Sequence, residues 1–92
     1  MSEVGELRPL YVRVHAADNV AIIVNEGGLA AGTRFESGLV LLEAIPEAHK
    51  VALEPIARGE AVVRYGVVIG RAEQDLAEAE SLSQQRLRRK RP

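Results

Sequence analysis

The longest uninterrupted apolar run in this chain is Val20-Ala21-Ile22-Ile23-Val24, and glycine, proline or polar clusters cut every other run shorter. Runs of strand length bounded by turn residues point to short, frequently reversed strands. In Leu10-Tyr11-Val12-Arg13-Val14-His15 the side chains alternate, with Tyr11, Arg13 and His15 on one face and Leu10, Val12 and Val14 on the other. That predicts a half-buried strand. Ala16-Ala17-Asp18-Asn19 reads as a turn, because Asp and Asn side chains bond their own backbone there. The run at 20–24 predicts a strand covered on both faces. Residues 39–42, 50–53, 61–65 and 67–69 are further strand candidates, punctuated by Gly38, Pro46, Pro55, Gly59, Gly66 and Gly70. Isolated glycines inside such a pattern suggest a bulge or a close backbone approach. The pattern predicts a mostly β domain, a small barrel or a clip of hairpins, and contains no internal repeat that the residues reveal.

Residues 72–87 differ in character. They hold good helix formers, no Gly or Pro, acids first and bases last, and a thin apolar stripe of Leu76, Ala79, Leu82 and Leu87. This predicts a marginal C-terminal helix.

With 92 residues the chain has room for one small domain, so an elaborate active site would be shared with another domain or chain. Cysteine is absent, which excludes disulfide and thiolate chemistry and suits a cytoplasmic setting. No run is long enough to cross a bilayer, and residues 1–10 lack the apolar segment of a secretory signal. Residues 1–85 carry all thirteen acids and seven of the twelve bases, a net of −6, while residues 86–92 carry +5. An acidic body argues against nucleic acid as partner, and leaves the tail from Arg86 to Arg91 as a solvated end or docking segment.

Few side chains suggest chemistry. His15 and Asp18 are three apart at a strand end, where a histidine and a carboxylate can take a divalent metal or a substrate hydroxyl. The plain alternative is a surface histidine beside a turn-forming aspartate. His49 and Lys50 precede a strand, and a cation beside a histidine suits an acidic substrate; the plain alternative is a solvated loop pair. A shared site needs His15, Asp18, His49 and Lys50 on one face. Gly27, Gly28 and Gly32 match no phosphate-binding pattern, and Ser37, Ser81 and Ser83 belong to no triad.

Four ordered segments are more specific. Val14-His15-Ala16-Ala17-Asp18-Asn19-Val20-Ala21 resembles the V-H-x-x-D-N-V-A opening of the SAF domain in the galactarate and altronate dehydratase family. The stretch through Asn25, Gly28-Leu29 and Ala31-Gly32-Thr33-Arg34-Phe35 closely resembles the galactarate branch. Ile45-Pro46-Glu47-Ala48-His49-Lys50-Val51-Ala52-Leu53 is similar to I-P-x-G-H-K-V-A-L, and Arg64-Tyr65-Gly66-Val67-Val68-Ile69-Gly70-Arg71-Ala72 to R-Y-G-x-x-I-G-x-A. The resemblance covers residues 10–76, leaving 1–9 as an N-terminal extension and 77–92 as a helix and basic tail. Two departures stand out. Ala48 replaces a glycine, which predicts a changed loop backbone, and residues 77–79 lack the family's Pro-Gly turn and the histidine cluster after it.

The resemblance implies a β-clip fold of bent hairpins. It also implies a sugar-acid dehydratase of carbohydrate acid metabolism in which a large catalytic subunit or domain is the partner. Relatives with a free small subunit release sulfite from sulfolactate. Met1 and the divergent tail favour a naturally short chain. On this reading His15, Asp18, Asn19, His49 and Lys50 contact substrate, His15 and His49 are the candidate metal ligands, and iron or a similar divalent metal serves the full enzyme. The base for the α-proton falls to the partner, since no residue of this chain stands out as catalytic. Self-association is compatible with so small a chain. The rival reading is a SAF module that binds carbohydrate or protein without chemistry.

Overall fold

The computed structural model describes residues 8–89. The short apolar runs become six strands: β1 Tyr11–Val12, β2 Val20–Ile23, β3 Lys50–Ala52, β4 Ala61–Arg64, β5 Val67–Ala72 and β6 Leu87–Arg89. They form two antiparallel three-stranded sheets, ordered β1-β2-β3 and β4-β5-β6. The architecture is mostly β, in keeping with the β-clip expectation. Among the described residues helix is limited to one 3₁₀ turn, Gln84–Arg86, and no helix is long and apolar enough to cross a membrane.

β2 is covered on both faces because it lies between two cores. Its side chains alternate. Val20 joins Ala52, Ile56, Val62, Ala72, Leu76, Leu82 and Leu87. Ala21 and Ile23 join Phe35, Leu39, Leu41, Ile45, Val51 and Ala79. β1 pairs with β2 over two residues, and its aromatic face is the inner one: Tyr11 meets Phe35 edge-on at 4.9 Å, while Leu10, Val12 and Val14 are exposed. Residues 39–42 form no strand; Val40 makes a single bridge to Arg34. Gly70 fulfils both roles expected of a strand glycine. It lies where the β4–β5 register shifts between Val62 and Val63, and a Cβ there would be 2.2 Å from the Arg88 carbonyl oxygen of β6.

The predicted C-terminal helix does not form. Leu76, Ala79, Leu82 and Leu87 are all buried, but in an extended, turning chain. Leu76 bridges Ile56, Ser81 bridges Val51, and Leu87 starts β6 against Ala72. Helix propensity amounts to a few tenths of a kcal/mol per residue. Burying four apolar side chains in existing cores outweighs it, at roughly 25 cal/mol per Å². The chain therefore remains within the fold well past residue 76.

An internal repeat also emerges that the bare sequence concealed. Ala30–Thr33, Pro46–His49, Ala57–Glu60 and Ala77–Glu80 are four like turns, in which the last N–H donates to the first carbonyl at 3.2, 3.1, 2.9 and 3.1 Å. The third residue is left-handed each time: Gly32, Ala48, Gly59 and Ala79, with φ of 85, 71, 87 and 72°. The preceding residues bridge in pairs, Leu29 with Ile45 and Ile56 with Leu76. The common pattern is Leu or Ile, then Ala or Pro, any residue, then Gly or Ala. Ala48 thus keeps the turn that its missing glycine was expected to alter.

Candidate functional site

The turn after β1 is built around a buried carboxylate. Asp18 Oδ2 accepts the His15 N–H at 3.1 Å, Oδ1 accepts the Gly66 N–H at 2.8 Å, and the Asp18 N–H donates to the His15 carbonyl at 2.9 Å. Asp18 is 4% exposed. Burial alone would raise its pKa, but bonds from the Gly66, Tyr65, His15 and Val14 backbones outweigh that and hold the carboxyl below its ordinary range. Asp18 thereby ties the His15 loop to the tip of the β4–β5 hairpin.

Asn19 makes the second tie. A register shift leaves strand groups unpaired, and a primary amide offers both a donor and an acceptor. Asn19 Nδ2 donates to the Ala61 carbonyl at 3.0 Å, and Asn19 Oδ1 accepts the Val63 N–H at 2.9 Å, so the amide spans Val62 at the shift.

His15 rests on that hairpin tip. Its Nδ1 accepts the Ala17 N–H at 3.0 Å, and Arg13 donates to the Ala16 carbonyl, bracing the same loop. Tyr65 and Gly66 are both left-handed, at φ 58 and 73°, in a two-residue turn closed by the Arg64–Val67 pair. Such turns require positive φ at both central positions. At 66 the left-handed backbone favours glycine, and a Cβ would also be 2.9 to 3.0 Å from the His15 ring, which would have to shift. Arg64 lies 4.5 Å from the centre of the Tyr65 ring and donates to its hydroxyl at 2.8 Å. Arg64 Nε is buried and finds no acceptor among the described residues. Sequence reasoning places Arg64, Tyr65 and Gly66 in a resembling segment but gives them no role in the site. The available signal is a tyrosine where a hairpin turn of this kind favours Asn, Asp or Gly.

His49 and Lys50 lie elsewhere. Lys50 pairs with Ile22, and the His49 carbonyl accepts the Ile23 N–H, so they flank the far end of β2 from Asp18. At about 3.3 Å per strand residue, the two loops are more than about 10 Å apart along β2. The structure therefore brings together His15, Asp18 and Asn19, and separately His49 and Lys50. The second pair lines a shallow cleft of about 160 Å³ with Ala48, Leu82 and Ser83. In the sister turns Glu60 and Glu80 bond back to the Ala57 and Ala77 N–H groups, each at 2.8 Å. Proline has no N–H to offer at position 46, and the His49 ring has no hydrogen bond among the described residues. No group of three or more His, Asp or Glu placed to hold a metal ion occurs among the described residues.

The basic tail is partly absorbed by the fold. Arg86 Nη1 donates to Glu43 at 2.6 Å and to the Ser81 carbonyl at 2.9 Å, and lies 3.2 Å from Glu80. Arg88 pairs with Glu73 at 3.1 Å. Lys90 and Arg91 fall outside the described residues.

A family model described as the altronate/galactarate dehydratase SAF domain matches residues 9–90. The chain is 60% identical over 62 residues to galactarate dehydratase (L-threo-forming) of Escherichia coli K12, covering 67% of this chain and 12% of that protein. It is 39% identical over 70 residues to altronate dehydratase of the same organism, 73% of this chain and 14% of that protein. A relative of similar size is the (2R)-sulfolactate sulfo-lyase subunit alpha of Chromohalobacter salexigens, 30% identical over 87 residues, 85% of this chain and 93% of that one. The chain thus spans about an eighth of the dehydratases it matches, as a domain of a larger enzyme, and nearly all of a lyase subunit.

Proposed function

The chain belongs to the altronate/galactarate dehydratase SAF domain family, and from that premise we propose that it is the substrate-side module, small subunit or N-terminal domain, of a cytoplasmic sugar-acid dehydratase. It presents His15 to a large catalytic partner. The observation that carries this reading is the meeting of two family segments: the H-x-x-D-N turn and the R-Y-G hairpin are fastened by Asp18 and Asn19. Asp18 and Asn19 act as positioning residues, their polar atoms committed to the backbone. His15 is the exposed group they aim, beside exposed Tyr65 and Val67. A partner closing over that tip would cover the apolar side chains.

β-Elimination from a hydroxy acid removes an α-proton, builds negative charge on the carboxylate and expels hydroxide, or sulfite from a sulfo acid. This chain contributes hydrogen-bond donors for the oxygens that gain charge. His15 serves from one end of β2, and His49 with Lys50 from the other, for a substrate or partner surface long enough to reach both. A divalent metal in the full enzyme would polarise the carboxylate. We assign its ligands to the partner, a choice supported by the placing of His15 and His49 at opposite ends of β2. The test is reconstitution with a large dehydratase polypeptide lacking its own SAF domain, assayed on galactarate, altronate and sulfolactate. Product is expected only when both chains are present. Full turnover by the large chain alone would overturn the proposal.

A further inference from the structure

We infer that His15 works as a hydrogen-bond donor through Nε2–H, toward a carboxylate or hydroxyl oxygen of the hydroxy acid, and is not a metal ligand. This deepens the reading above and rests on it for the identity of the acceptor. His15 Nδ1 accepts the Ala17 N–H at 3.0 Å. A neutral imidazole has one protonated and one bare nitrogen. With Nδ1 bare, the proton is on Nε2.

A ligating histidine shows the reverse arrangement: one nitrogen binds the ion while the other donates its N–H to a carboxylate or carbonyl. To bind a metal through Nε2, the His15 ring would have to carry its proton on Nδ1. That proton would face the Ala17 N–H, donor against donor, and the loop bond would be lost. The nearby carboxylate gives no help, because Asp18 accepts the His15 and Gly66 backbone N–H groups and bonds no ring nitrogen of His15. The ring also lies against Gly66, where an added Cβ would be 2.9 to 3.0 Å from it. Asp18 fixes the His15 and Gly66 backbones around the ring, and the Ala17 N–H sets its tautomer. His15 Nε2 has no acceptor among the described residues, so its donor is open to a ligand.

The test is long-range ¹H–¹⁵N correlation of the histidine rings in the full chain. His15 is expected as a single tautomer protonated at Nε2, with signals unmoved by a tenfold excess of Zn²⁺ as the probe metal. A ring protonated at Nδ1, or Zn²⁺-dependent shifts at Nε2, would overturn the assignment. Gly66→Ala should displace the ring and mix the tautomers; if that variant does not fold, the wild-type spectrum still decides. The donor role is read in the reconstituted pair. His15→Gln, whose amide N–H reaches a similar place, should keep turnover within about tenfold of wild type, whereas His15→Ala should lose about 100-fold. Equal loss in both variants would refute donation. The spectrum needs no partner, so a correct tautomer with no reconstituted activity would count against the enzyme reading alone.

Discussion

At the scale of single residues, backbone strain marks where this domain departs from an ideal sequence. Left-handed φ costs an ordinary residue about 1–2 kcal/mol, and Tyr65, Ala48 and Ala79 all bear it. Strain of this kind is a pointer toward function when a better residue is available. Asn tolerates the left-handed region better than Tyr. Tyr65→Asn is therefore expected to leave the thermal midpoint unchanged or raised, even after losing the Arg64 contact, while association with the catalytic partner weakens. A calorimetric scan and a binding titration on the same variant check both halves. The two alanines separate conformation from packing. Ala48 is exposed, so Ala48→Gly should stabilise by about 1 kcal/mol in urea unfolding. Ala79 is buried in the second core, and losing its methyl costs about 0.8 kcal/mol, so Ala79→Gly should be near neutral. The roles of Asp18 and Asn19 lay half-hidden in the sequence. Asp18 makes the local bond to the His15 N–H that a turn residue suggests, but the other side-chain partners of Asp18 and Asn19 are 42 to 48 residues away.

At the scale of elements, strands were legible and the C-terminal segment was not. β2, β4 and β5 follow from apolar runs and their glycine stops, although only β2 is buried on both faces and β5 leaves Val67 and Val68 exposed. Residues 72–87 satisfy helix propensity locally, and only the cores they complete explain why they stay extended. The repeated turn was obscured because its left-handed position holds alanine in two of four copies, and glycine is the signal a reader follows. That C-terminal segment is secured by Arg86 across Glu43 and Glu80. The Arg86 hydrogen bond, opposed by burial and aided by the Ser81 N–H, holds the Glu43 carboxyl below its ordinary value of 4.5. A depressed carboxylate stabilises the fold fully above that value and less as pH falls through the lower folded pKa. Glu43→Gln should therefore destabilise by about 1 kcal/mol at neutral pH, as befits a half-exposed pair, and the difference should vanish in acid. Urea unfolding of both proteins between pH 2 and 7, a range of about 5 units chosen to bracket ordinary carboxylate values, reads this directly.

At the scale of the whole molecule, the domain is a scaffold with two histidine loops at opposite ends of a doubly buried strand. One loop is braced by residues from the second sheet, and the other is a turn whose proline leaves its histidine without a local bond. Among the described residues neither end encloses a site, which fits a module that spans an eighth of its dehydratase relatives. The resemblance in the sequence was enough to indicate the family. It could not tell that the H-x-x-D and H-K segments would fold apart, since that depends on strand order and register. The most direct test of the account is kcat of the reconstituted pair with His15→Ala at saturating chain. The account predicts unchanged association and a fall of about 100-fold, the loss typical of one donor to a developing oxyanion. Unchanged kcat with intact association would contradict it.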